Sequence, residues 1–179
     1  MQPIRDLALL EEMKEFLAAR DLRNWMLFVF GINTGLRISD ILPLRVKDVS
    51  GGFVALRELK TKKHRRILLN DALRGDIRRY LDYYDWLGPD DYMFGSQVKG
   101  RAITTTQAYR IIREAGEAVG LDSIGTHTMR KTFGYHFYRR TKDIATLQLI
   151  LNHSSPRMTM RYIGVLQDEI DEAMRQFRL

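Results

Sequence analysis

A chain of 179 residues, 45% of them hydrophobic, fits one domain with a buried core rather than a disordered polymer. Its net charge of +7 points to a polyanionic partner, and the absence of cysteine excludes disulfides, thiolate–metal sites and thiol nucleophiles. No apolar run approaches the roughly 20 residues of a membrane span, and "MQPIRDLALLEE" lacks the apolar stretch of a signal peptide. A soluble, cytoplasmic chain with no membrane partner is expected.

Leu7, Leu10, Met13 and Leu17 recur at helical spacing and predict an amphipathic first helix. "DLRNWMLFVFGINTG" is apolar nearly all round, which predicts a buried second helix with Gly35 just past its end. "RISDILPL" reads as a short third helix that Pro43 stops. Then "VKDVSGGFVALREL" and "RRILL" turn β-like, separated by a glycine pair and the basic turn "KTKKHR", and predict three antiparallel strands in two hairpins. Helices resume with "DALRGDIRRYLDYYDWL", which runs to the breaker Gly88-Pro89. "YMFGSQVKGRAIT" reads as loop, and "TTQAYRIIREAGEAVG" as a helix closed by Gly120. Thr126 is the expected N-cap of "HTMRKTFGYHFYRR". Ile144 to Leu151 form the next helix, and Ser155-Pro156 supply the N-cap and first residue of one carrying Tyr162. "VLQDEIDEAMRQFRL" is a last amphipathic helix. With no repeat, linker or low-complexity tract, residues 1–179 read as a single α+β domain, mainly α-helical, with a small three-stranded antiparallel sheet.

The chemistry on offer is cationic. There is no glycine-rich phosphate loop and no HExxH, and the four histidines (64, 127, 136 and 153) lack the spacing of zinc ligands. No carboxylate cluster suited to a two-metal nuclease stands out. No metal and no cofactor is expected. His127 and Arg130, three residues apart on a helix, share a face from which a guanidinium fork and an imidazole can meet phosphate oxygens. Arg37 follows the buried helix and a glycine turn, at the rim of the core, with Asp40 near enough in sequence to orient it. The turn with Lys60, Lys62, Lys63, His64, Arg65 and Arg66 can reach over a nucleic-acid backbone. A lysine there can hand a proton to a leaving alkoxide. Tyr162 sits among His153, Arg157 and Arg161.

The segments "TGLRISD", "KTKKHRRILL", "HTMRKTFGYH" and "LNHSSPRMTMRYIG", in this order, resemble the catalytic domain of the tyrosine recombinase (phage integrase) family. The resemblance runs from about Trp25 to Gly164. It implies the helical catalytic core of DNA breaking–rejoining enzymes and a site-specific recombinase that acts through a 3′-phosphotyrosine. It further implies that Arg37 and Arg130 clamp the scissile phosphate. Lys60 is then the general acid, with Lys62 as the alternative, and His127 binds phosphate and handles protons. His153 is the second histidine and Tyr162 the nucleophile. Lys62, Lys63, Arg65, Lys131, Arg157 and Arg161 are expected on DNA. Double-stranded DNA is the implied partner, with a synaptic tetramer on DNA and a monomer or weak oligomer in its absence. A phenol with pKa near 10 is only about 0.1% ionised at pH 7, and the surrounding cations are expected to lower that pKa.

Three departures from the family pattern stand out. Asn152 replaces a common glycine, a substitution that tolerates a left-handed helix end. Leu68 replaces a frequent proline. The N-terminal core-binding domain of the family is absent from these 179 residues, so the chain is either a fragment or a short enzyme. A type IB topoisomerase and a noncatalytic DNA-binding relative share parts of the pattern. The tail from Val165 to Leu179 is expected to dock on a neighbouring protomer during synapsis, or else on its own domain.

Overall fold

The structure is a computed structural model that describes residues 1–60 and 62–178; Thr61 of the basic turn and Leu179 of the tail lie outside it. Helix α1 (Leu7–Arg20) starts on Asp6, whose carboxylate accepts from Ala8 N at 2.7 Å. It buries Leu10, Met13 and Leu17, while Leu7 faces solvent. Asp21 ends α1 and caps α2 (Leu22–Thr34), which is buried from Trp25 through Gly31 as its all-round apolar sequence requires. Gly35 ends α2 at φ +63°, and a Cβ there would also run into the Phe133 ring. Glycine is needed on both counts. The turn α3 (Ile38–Ile41) follows, with Arg37 extended at its N-cap.

The three-stranded sheet is corrected to two strands. "VKDV" folds as a helical turn, α4 (Val46–Val49), because Asp48 accepts from Arg45 N at 2.8 Å and closes the turn locally. Its two valines pack inward from that turn instead of alternating along a strand. Strands β1 (Phe53–Arg57) and β2 (His64–Leu68) pair antiparallel, with Phe53 opposite Leu68 and Arg57 opposite His64. Helix α5 (Asp71–Tyr83) is capped by Asn70 and ends well before Gly88, so Trp86 lies beyond it. Helix α6 (Thr105–Ala118) carries the reciprocal Thr104–Gln107 capping box.

Helix α7 (Thr126–Thr141) begins one residue earlier than expected, with Gly125 rather than Thr126 as its N-cap. Helix α8 (Ile144–Leu151) ends on Asn152, which takes up the left-handed conformation at φ 50°. Ser155 caps α9 (Pro156–Ile163) through Met158 N, with Pro156 at its first position. Gly164, at φ +77°, turns the chain into α10 (Val165–Gln176).

Two apolar clusters result. The larger runs from Ile4 to Met129 and takes in α1, α2, α5 and α6. The smaller is built on Leu147, Leu151, Ile163 and Val165, with Phe133, Tyr135, Phe137 and Tyr138 packed against it. Helix α7 joins them, because Met129 belongs to the first and Phe133 and Phe137 to the second. No helix among the described residues is long and apolar enough to cross a membrane.

Candidate active site at the seam of the two cores

Arg130 sits where the two clusters meet, and only 2% of it is exposed. Its Nη1 donates to the carbonyl of Gly35, at the end of α2, and its Nη2 to the carbonyl of Leu151, at the end of α8, at 2.5 Å. Both acceptors are carbonyls that a helix end leaves without an intrahelical partner, and both lie at the negative pole of a helix. One guanidinium therefore fastens α2 and α8 to α7. Two of its five N–H donors go to these carbonyls, and the same side chain also hydrogen-bonds Tyr162. Burial first, and then Arg37, pull its pKa down to about 10. It remains a cation at neutral pH.

Close approach of the helices is written in glycine. A Cβ on Gly31 would lie 2.6 Å from Met129 Sδ, and one on Gly134 would lie 2.6 Å from Ile163 Cγ2. The first glycine seats α7 on α2, and the second seats α9, the helix of Tyr162, on α7.

Glu58 follows the last residue of β1 and is wholly buried. Its Oε1 accepts from Arg65 Nη1 at 2.7 Å, and its Oε2 accepts from Asn152 Nδ2 at 3.1 Å. Arg37 Nη1 lies 3.0 Å from the same Oε2. That ion pair is close but not aligned as a hydrogen bond, and Arg37 Nη1 is itself buried from solvent. Asp40 therefore does not hold Arg37, as its position in the sequence suggested. It is 5% exposed, and its Oδ1 accepts from Leu59 N at 2.9 Å, which holds the start of the turn that carries Lys60.

The other candidates close around these arginines. The His153 and Tyr162 rings meet edge to face, with centroids 5.0 Å apart, and Lys131 Nζ stands 5.2 Å from the Tyr162 ring centre. His153 Nδ1 lies 3.1 Å from Thr159 Oγ1, and that hydroxyl donates to Ser155 O. It must therefore accept from Nδ1–H, and this assignment leaves His153 Nε2 as an acceptor. Burial and then the charges of Arg130 and Arg37 push His153 down to about 4. Burial, Arg130, Arg37, Lys131 and Lys60 lower His127 in turn. Both imidazoles are neutral at pH 7.

The phenol departs from expectation. Arg130 and Arg37 do pull its pKa down, but burial of Tyr162 outweighs them and the net direction is upward. Stripping water from a phenolate costs more than the two cations return while their charge is shared with Glu58, Gly35 O and Leu151 O.

Arg37 and Arg130 thus act on His127, His153 and Tyr162, and Lys60 acts on His127, so that four separate segments meet around the two arginines. Of the two candidate lysines, Lys60 acts on His127, whereas Lys62 lies at φ 59° in the turn and is absent from the charges acting on that ring. Lys62 and Lys63 are exposed, and Lys63 Nζ donates to Asn152 Oδ1 at 3.1 Å. Arg157 and Arg161 are exposed on α9. Arg65 is turned inward, donating to Glu58 and to Ile150 O, so it builds the site's frame rather than its outer surface. Glu58 was missed in the sequence. Its signal was present, since Val54, Leu56 and Glu58 continue one inward-facing alternation along the strand.

A cationic pocket around one tyrosine, on this helical scaffold, is the architecture of DNA breaking–rejoining enzymes. Residues 7–169 match the phage integrase family. The chain is 52% identical over 178 residues to the probable integrase/recombinase YoeC of Bacillus subtilis, covering 99% of this chain and 97% of that protein. It is 30% identical to a tyrosine recombinase of Pseudothermotoga lettingae, covering 97% of this chain but 61% of that protein. Among solved structures, XerA recombinase superposes with a TM-score of 0.77 at 23% identity, over 99% of this chain and 65% of XerA. The catalytic domain of bacteriophage HP1 integrase gives 0.65 at 20% identity, over 98% and 95% of the two chains. The chain belongs to the phage integrase family, the tyrosine recombinases, which are enzymes of DNA recombination.

Proposed function

We propose that the chain is a site-specific recombinase that cuts and rejoins duplex DNA through Tyr162. The phenol oxygen attacks the scissile phosphorus, the bond to the 5′-oxygen breaks, and a 3′-phosphotyrosine forms. Arg37, whose side chain is 17% exposed, and Arg130, which also reaches the Tyr162 side chain, hold the nonbridging oxygens as charge builds on them. A neutral imidazole takes the phenolic proton, and Lys60 delivers one to the departing 5′-oxygen. Reversal, with the 5′-hydroxyl of another strand as nucleophile, restores the backbone, and the phosphotyrosine conserves the bond energy between the steps.

The single observation that carries this reading is the convergence of two guanidinium groups and the neutral His153 imidazole on one tyrosine, with neutral His127 beside the same two arginines. The names of the similar proteins support it, as does a likeness to XerH bound to its difH substrate (TM-score 0.77). In this reading residues 1–179 act as one catalytic domain, in the cytoplasm, on double-stranded DNA. The protein is a monomer or weak oligomer when free and a synaptic tetramer on its target. Lys62, Lys63, Lys131, Arg157 and Arg161 supply backbone contacts.

The test is a nicked suicide substrate that traps the covalent adduct. The natural protein forms an adduct that peptide mapping assigns to Tyr162, and Tyr162→Phe binds the DNA yet forms none. An adduct on another tyrosine, or one that survives in Tyr162→Phe, refutes the assignment.

A further inference from the structure

The reaction at Tyr162 makes no use of Glu58, yet this carboxylate is the most completely enclosed charge in the site. A lone buried charge is costly, and a buried carboxylate is kept only where partners surround it. Arg37, Arg65 and Asn152 come to it from three of the four segments that build the site. Arg37 follows α2, Arg65 lies on β2, and Asn152 ends α8 immediately before His153. The fourth segment is reached at one remove. Arg65 donates to Ile150 O, and the next carbonyl, Leu151 O, accepts from Arg130. Glu58 is also two residues from Lys60, and its own backbone closes the turn, with Glu58 N donating to Lys63 O and Lys62 N donating to Glu58 O.

We infer that Glu58 is a positioning residue for strand cleavage. Its buried carboxylate sets Arg37 against the end of α8, so that the phosphate clamp, the Lys60 turn and the His153 segment keep one mutual geometry. The inference rests on the proposed reaction at Tyr162. It follows from how the charges are divided. Glu58 Oε2 meets the buried Nη1 edge of Arg37, while the Arg37 side chain as a whole stays 17% exposed, so the guanidinium is held from the inner side without being fully enclosed.

The experiment measures single-turnover adduct formation at saturating nicked DNA, with DNA affinity and thermal unfolding recorded alongside. Glu58→Gln keeps the shape and removes the charge. It is expected to slow cleavage by tenfold to about a hundredfold, the scale of an ångström of misplacement, while affinity changes by less than about threefold. If the carboxylate acts through Arg37, adding Glu58→Gln to Arg37→Ala costs little beyond Arg37→Ala alone. Losses that multiply in full, or a Glu58→Gln protein that cleaves at the natural rate, overturn the inference. Should Glu58→Gln fail to fold, Asn152→Gly keeps the left-handed backbone and removes one hold on the carboxylate. It is then expected to slow cleavage severalfold at saturating DNA, and an unchanged rate overturns the inference. An unaltered chain that forms no adduct at all refutes the reaction at Tyr162 instead.

Discussion

The two apolar clusters make the instructive comparison. The larger contains α2, buried along most of its length, and fixes Arg37 and His127 at its edge. The smaller rests on Leu147, Leu151, Ile163 and Val165, and carries His153 and Tyr162. Beyond it α10 leaves Ile170, Met174 and Phe177 on the surface. Segments open locally at a free energy that rises with the apolar surface they bury. In the proposed mechanism the phosphate-binding Arg37 is therefore on the resistant side and the attacking Tyr162 on the yielding side. A recombinase must hold one phosphate still while strands exchange, and this division suits that task. Arg130 belongs to both sides, since it ties α2 to α8 through their terminal carbonyls.

The sharpest way to break the comparison is to cut that tie. Arg130→Ala removes both carbonyl bonds and, in the proposed mechanism, a transition-state donor. Cleavage is expected to fall by about 10²–10³-fold, and stability by on the order of 3 kcal/mol. Both are read on one sample by adduct formation and denaturant unfolding. Loss of cleavage with stability unchanged would mean that the two clusters do not depend on this residue for their docking.

Lys60 offers the opposite case, an exposed residue on a turn. Lys60→Ala should slow cleavage by about 10²-fold or more with no measurable change in unfolding. A 5′-thiol leaving group, which departs without a proton, should restore the rate. Rescue seen for Lys62→Ala and not for Lys60→Ala would move the general acid two residues along the turn.

Gly134 tests the yielding side alone. An alanine Cβ would lie 2.6 Å from Ile163 Cγ2, so α9 must shift away from α7. The expected cost of Gly134→Ala is about 1–3 kcal/mol, and cleavage should drop by about tenfold, part of the loss that misplacement produces. DNA affinity should hold, because Arg157 and Arg161 stay exposed on the moved helix. A Gly134→Ala protein with natural cleavage would show that Tyr162 tolerates the displacement.

What could be read in the sequence divides along the same physical lines. The four motifs were legible because each is contiguous and carries its own local signal: Gly35 past a buried helix, His127 and Arg130 on one helical face, Ser155-Pro156 opening α9. Most helix boundaries followed from caps and breakers that act within a few residues, although α5 stops at Tyr83, short of the Gly88-Pro89 breaker, and α7 is capped by Gly125 instead of Thr126. Long-range partners were not legible. Asp40, three residues from Arg37, looked like its partner, but it bonds Leu59 N across the fold. Glu58 looked like the end of a strand and Arg65 like surface, because nothing local reveals that Asn152 and Ile150 arrive beside them. "VKDV" has the composition of a strand, and one Asp48 hydrogen bond to Arg45 N makes it a helical turn. The raised phenol pKa was hidden for the same reason, since burial is a property of the assembled clusters.

The smallest expected effect is a displacement along the pH axis, and it separates the imidazole of the larger cluster from that of the smaller. A raised phenol pKa means less phenolate at any given pH, so an unassisted Tyr162 would cleave about tenfold faster per pH unit up to and beyond pH 10. A neutral imidazole that accepts the proton gives a different profile, with the rate level from about pH 7 to 9 and falling only as the acceptor becomes protonated. His153, held to about 4, ionises too low to shape the range in which the protein is handled. It affects folding instead. Between the unfolded value near 6.5 and about 4 the unfolded chain takes up a proton that the folded one refuses, so stability falls as pH falls through that window. The kinetic acid limb then belongs to His127, whose pKa is lowered by burial and by four cations but rises again when the phosphate enters and cancels part of their charge. Single-turnover adduct formation at saturating DNA should therefore be flat above about pH 7 with a limb below it. That limb should vanish in His127→Gln and persist, at lower overall rate, in His153→Gln. A limb that disappears with His153 would move proton acceptance to the smaller cluster, onto the same yielding side as the nucleophile it serves.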